Sequence, residues 1–197
     1  MLSDEARGDP HTGLGLWAGA AVGQSTVLRI GDLRPEDRTD GGFVGGLTYA
    51  GPGRLQLDVG YEYGASTTDF SNGVEAGRFR DENRGVRFFT DWRFWPGRVG
   101  SAFGGVGFTY QETKSSLDGP ATAREIRGVD RSGGVRIGYQ GRLADHFGLR
   151  VWAGESIHSA DATDPISGFR YDWVRGGAEF SLELIYFFRA GRIATDS

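Results

Sequence analysis

The chain repeatedly alternates apolar with polar or small residues, and the alternating stretches are joined in turn by short and long polar segments. Residues 54–64 are the clearest case. Leu55, Leu57, Val59, Tyr61 and Tyr63 fall on one side, and Arg54, Gln56, Asp58, Gly60, Glu62 and Gly64 on the other. Successive side chains of a β-strand point to opposite faces, so a period of two predicts strands that are apolar on one face only. No segment of helical periodicity competes with this pattern over any length.

The same alternation runs through 85–95, 101–111, 132–142 and 177–188, with weaker versions at 13–23, 42–50 and 147–157. That predicts eight strands. Three connections are tight: Gly51-Pro52-Gly53, Pro96-Gly97-Arg98 and Ala144-Asp145-His146. Proline and glycine supply turn geometry in the first two. The other four connections, near 24–41, 65–83, 113–130 and 158–170, are expected to be long polar loops. Short turns at one end and long loops at the other suit a transmembrane barrel with periplasmic turns and extracellular loops. A sandwich with crossover connections has no reason to sort its loops this way.

The composition of the two faces decides which one meets lipid. Positions opposite the apolar ones are rich in glycine, alanine and serine, with Arg, Asp and Glu interspersed, as a narrow lumen requires. The apolar face places Tyr49, Phe94, Trp95, Tyr139, Tyr186 and Phe188 near the short turns. Tyr61, Tyr63, Phe108 and Tyr110 lie toward the long loops. Two aromatic girdles are what membrane interfaces select. The predicted fold is therefore all-β: an eight-stranded antiparallel up-and-down transmembrane β-barrel over 13–188, flanked by a polar N-terminal tail (1–12) and a C-terminal tail (189–197). A mean hydropathy of −0.38 does not oppose this, because only alternate residues of such strands face lipid. The opening Met-Leu-Ser-Asp-Glu-Ala-Arg is polar, so an export signal is not visible and a mature form is expected. A formal net charge of −4 argues against a nucleic-acid partner, and the lack of cysteine excludes disulfides and thiolate metal sites.

This layout resembles the eight-stranded outer-membrane proteins of the OmpA, OmpX and NspA type across 13–188. The ending Gly177-Ala178-Glu179-Phe180-Ser181-Leu182-Glu183-Leu184-Ile185-Tyr186-Phe187-Phe188 is similar to the C-terminal strand signal read by the barrel-assembly machinery, although Arg189 to Ser197 follow it. The resemblance implies a bacterial outer-membrane location. It also implies contact with outer-membrane lipids and lipopolysaccharide, and a structural or interaction role.

Candidate functional residues follow from face and charge. The inward positions carry Asp58, Glu62, Asp91, Glu179 and Glu183 beside Arg87, Arg93, Arg136, Arg150 and Arg175. Buried ions need partners, so the expectation is a set of lumen ion pairs that plugs the barrel. The alternative is a narrow pore in which pairs exchange partners. Small outward residues, Ala18, Ala20 and Gly45 on the first two strands and Ala102 and Gly104 on the fifth, form a candidate docking face for a partner membrane protein or lipoprotein. Relief of crowding is the alternative there. Ser156, His158 and Ser159, with Glu155 nearby, are the candidates for a nucleophilic centre of the lipid A deacylase (PagL) kind. Their order differs from that family's His-x-Ser, so a solvated histidine of the fourth loop, and no enzyme, is expected. No metal cluster or cofactor motif is visible; Asp161 and Asp164 match no calcium loop. Arg78, Arg80 and Arg84 are candidates for lipopolysaccharide phosphates, and the carboxylates of 32–40 for bridging divalent ions.

Overall fold

The computed structural model describes residues 12–29, 37–51, 53–71, 76–95, 99–118, 124–144, 146–163, 168 and 170–188. Eight strands pair in sequence order into a closed antiparallel barrel: β1 Gly13–Arg29, β2 Asp37–Ala50, β3 Leu55–Ser71, β4 Ala76–Phe94, β5 Gly100–Asp118, β6 Arg124–Arg142, β7 Phe147–Thr163 and β8 Arg170–Phe187. Closure pairs β1 with β8, for example Trp17 with Ile185 and Gly19 with Glu183, which leaves no sheet edge. Residues 1–11 and 189–197 of the predicted tails, Pro52, residues 96–98, Asp145, residues 32–36 and Asp164 lie outside the described residues, as does the Arg78 side chain.

The faces are those read from the alternation. Trp17, Phe89, Phe103, Trp152, Ile185 and Phe187 are buried inside the barrel. Phe43, Leu57, Tyr61, Phe88, Val106, Phe108, Ile137, Phe180 and Leu182 stand exposed on its outside. An apolar band of this extent around a whole molecule has a hydrocarbon phase as its matching solvent. Glycines let neighbouring strands fill the bore. A Cβ on Gly60 would lie 2.5 Å from the Trp17 ring, which stacks into that gap and donates from Nε1 to the Leu47 carbonyl at 3.1 Å.

The strands are longer than the alternation predicts, which corrects the expected long loops. Most of 24–41, 65–83, 113–130 and 158–170 belongs to strands, and β4, β5 and β6 each run for 19 residues. About 9–11 residues suffice to cross a bilayer. The excess lies at the end away from the tight turns, where Arg80, Glu82, Arg84, Glu112, Lys114, Arg127 and Arg131 are all exposed. Above the membrane both faces of a strand meet polar surroundings, so apolar alternation ends while the hydrogen-bond ladder continues. The polar half therefore reads as loop in the sequence although it is sheet in the fold.

The register also shows the tilt. Successive partners from Glu155 are Ala178, Gln24, Thr39, Thr67, Arg80, Ser116 and Glu125, a path that climbs toward the far end of β6 instead of returning to the level of Glu155. Closing a barrel requires such a stagger. It brings residues far apart in sequence to one height in the lumen.

Candidate functional site

Inward side chains fill the lumen in three tiers. The lowest, toward the tight turns, is an ion network. Arg136 donates from Nε to Asp91 Oδ1 at 2.9 Å and from Nη2 to Asp91 Oδ2 at 2.5 Å, and Nη2 also reaches Asp58. Asp58 accepts a second guanidinium, Arg150 Nη1, at 2.7 Å. Arg150 Nε in turn donates to Glu183 at 2.5 Å, and the other oxygen of that carboxylate accepts from Trp152 Nε1 at 2.7 Å and Ser181 Oγ at 3.1 Å. The planar guanidinium suits this geometry, because it bridges carboxylates and stacks on rings at once. Arg136 lies 3.9 Å from the Phe89 ring centroid, and Arg150 lies 5.4 Å from that of Trp17.

The middle tier is Arg87 between two carboxylates, Glu62 and Glu179, each 3.3 Å from Nη1. Gln111 donates to Glu62 across Gly85, which lies between them on β4. Above it lies the third tier. Ser156 Oγ sits 2.7 Å from His158 Nε2, and His158 Nδ1 sits 3.1 Å from Asp130 Oδ1. Arg175 donates to the other Asp130 oxygen at 2.5 Å and to Asp40 at 3.2 Å. A cavity of about 110 Å³ lies among these groups, reached by Glu62, Glu179, Ser156, His158 and Arg175.

Among the described residues, nine of the ten inward charges are seen in ion pairs inside the barrel: Asp58, Glu62, Arg87, Asp91, Arg136, Arg150, Arg175, Glu179 and Glu183. Arg93 is put to another use. Its Nη2 donates to the Gly51 and Gly53 carbonyls at 2.9 and 2.7 Å, tying β4 to the first tight turn. Asp130 and Asp40 were hidden to sequence reading, since both sit in stretches expected to be loop. His158 corrects the expected solvated loop histidine: it belongs to β7 and points inward, its side chain 17% exposed. Glu155 and Ser159, by parity, are exposed on the outer wall, so the carboxylate beside Ser156 and His158 is Asp130 from β6.

The small outward residues do not form one face. Ala18 and Gly45 pair across β1 and β2, with Ala20 one step along, whereas Ala102 and Gly104 lie on β5, across the barrel. Gly104 is overlaid by Phe94, whose ring would lie 3.3 Å from a Cβ there. On the outer wall of β4 to β7, Arg84 pairs with Glu112 at 2.9 Å, Lys114 with Glu125 at 3.0 Å and Arg131 with Asp161 at 3.1 Å. Among the described residues no three His, Asp or Glu side chains are grouped to hold a metal ion.

No protein-family model matches the chain, and no curated protein sequence does. Solved structures do match. OprG from Pseudomonas aeruginosa superposes with a TM-score of 0.56 at 10% identity, over 90% of this chain and 98% of that one. The outer membrane protein AlkL superposes at 0.56 and 13% identity, over 95% and 96%. Neisserial surface protein A superposes at 0.53 and 14% identity, over 90% and 98%. The chain has the fold of the eight-stranded outer-membrane β-barrels. A barrel of this fold carries an apolar band on its outside and polar side chains in its interior, as this one does.

Proposed function

We propose that the protein is an integral outer-membrane barrel with a structural or interaction role, displaying four extended hairpins at the cell surface over a lumen closed by ion pairs. The observation that carries the reading is the lowest tier. Asp58, Asp91, Arg136, Arg150 and Glu183 interlock across the bore with Trp17, Phe89, Phe103 and Trp152 packed around them, all of them buried. Eight strands enclose an interior that side chains can fill, and here they fill it at its lower half.

The interaction surface is the protruding part of the barrel. Its exposed arginines and Lys114 on β4 to β6 have the chemistry to meet lipopolysaccharide phosphates, and the Ala18–Gly45 patch has the shape for a partner membrane protein or lipoprotein. Biogenesis through the barrel-assembly machinery belongs to the same reading, on the C-terminal strand signal.

Planar bilayer recording of the refolded barrel tests the closed lumen. The expected result is an unchanged baseline under applied voltage. Large, stable conductance steps that vanish on heat denaturation would establish the narrow pore instead.

A further inference from the structure

The upper lumen holds an arrangement that neither a plug nor a display surface uses. His158 Nε2 meets the Ser156 hydroxyl at 2.7 Å, and its Nδ1 meets Asp130 at 3.1 Å. Arg175 Nη2 also lies 3.2 Å from His158 Nδ1, beside the Asp130 carboxylate that both groups meet, and one proton assignment sets Ser156 up as a nucleophile. With the imidazole proton on Nδ1, Nδ1–H donates to Asp130, the Ser156 hydroxyl donates to Nε2, and Arg175 donates to the second Asp130 oxygen. That is the wiring of a serine nucleophile with its base and orienting acid, which is recognised by geometry and not by order in the chain.

The surroundings leave the hydroxyl accessible on its own face. Ser156 is flanked across the ladder by Gly134 on β6 and Gly177 on β8. A Cβ on Gly134 would come within 3.0 Å of the Ser156 Cβ, and one on Gly177 within 2.7 Å of the Ser25 Cβ. Both glycines also border the cavity of about 110 Å³ onto which Ser156 and His158 open. Space of that volume holds an acyl group of acetyl size beside the hydroxyl. Arg175 Nε, buried beside the same cavity, has no protein partner among the described residues. The Arg175 side chain as a whole lines that cavity and brings its positive charge beside His158.

We propose that Ser156, His158 and Asp130 form a hydrolytic centre for short-chain carboxylic esters, housed in the extracellular half of the lumen. Ser156 Oγ bonds to the ester carbonyl carbon as its proton passes to His158 Nε2. The tetrahedral oxyanion faces Arg175, and its collapse breaks the carbon–alkoxide bond, the alcohol leaving with the proton from His158. Water then gives its proton to His158 and attacks the acyl-serine. The carbon–Oγ bond breaks, Ser156 regains the proton, and the carboxylic acid departs. Asp130 holds the ring in the required tautomer throughout. The proposal does not depend on whether the lower lumen conducts.

The test uses the full chain refolded in detergent or vesicles, with folding checked by heat-modifiable gel migration. A fluorophosphonate probe is expected to label Ser156 alone, as located by mass spectrometry, with Ser132 and Ser159 of the same molecule as internal controls. p-Nitrophenyl acetate hydrolysis is expected to fall at least tenfold in Ser156→Ala and about 10²-fold or more in His158→Gln, from loss of the general base. Ser159→Ala is expected to match wild type. A folded wild-type barrel that leaves Ser156 unlabelled overturns the proposal. So does labelling spread evenly over the serines, or hydrolysis unchanged in Ser156→Ala. Labelling needs no variant, so a His158→Gln chain that fails to fold does not protect the idea.

Discussion

Arg136→Met is the sharpest probe of the lower lumen. Arg136 supplies Asp91 with two charge-assisted hydrogen bonds, at 2.9 and 2.5 Å, and Asp91 is fully buried. Asp58 keeps its bond to Arg150 at 2.7 Å, so the loss falls mainly on Asp91. Removing one partner of a buried pair costs about 3–5 kcal/mol, because the remaining charge is uncompensated. Loss of the guanidinium from the Phe89 ring, 3.9 Å from its centroid, adds on the order of 1 kcal/mol. Urea unfolding from lipid vesicles, followed by tryptophan fluorescence, is expected to show this deficit. Arg136→Met/Asp91→Asn is expected to recover at least half of it, since the stranded charge is gone. The exposed pair Arg84–Glu112 is the control: Arg84→Ala is expected to change stability by no more than about 0.5 kcal/mol. A deficit below about 1 kcal/mol for Arg136→Met, or a double variant no better than the single one, would refute the view that this pair is dry and strongly coupled.

Other perturbations address the packing and the membrane contact. Gly60→Ala pushes a methyl to within 2.5 Å of the Trp17 ring and is expected to cost about 1–3 kcal/mol, whereas Gly133→Ala meets nothing within 4 Å and is expected to be close to neutral. The same unfolding assay ranks the two. Arg93→Met removes the donor shared by the Gly51 and Gly53 carbonyls. It is expected to destabilise by about 2 kcal/mol and to make the 51–54 turn a preferred site of proteolysis in vesicles. In single-tryptophan variants, brominated lipid chains are expected to quench Trp92, which is exposed on the outer wall, and to spare Trp17 and Trp152 inside. Equal quenching of all three would mean that the faces are assigned wrongly.

The strands, their two faces and the interior ions were legible in the sequence because the face of a strand residue is a local property. Asp58 and Glu62 lie two steps either side of Gly60, so an apolar neighbour pattern is enough to turn all three inward. The outward apolar positions identified lipid for the same reason. Strand length was not legible above the membrane, where Arg80, Glu112 and Lys114 carry no apolar alternation although their backbones pair as regularly as those below.

Partnership depended on register and closure, which no single strand encodes. Ser156 and His158 are two residues apart, and their shared face is visible in the chain. Asp130 reaches His158 only because β6 and β7 pair Asp130 with Ala160 and Ser132 with His158. Arg175 arrives from the strand on the other side, opposite His158 in the β7–β8 register. The stagger of a closed barrel likewise sets Arg136 between Asp58 and Asp91, 78 and 45 residues away. The sequence by itself thus determined a barrel with a polar bore. Only the tertiary structure decided which ion meets which, and that a serine, a histidine and an aspartate meet at its mouth, because those distances depend on the pairing of all eight strands together.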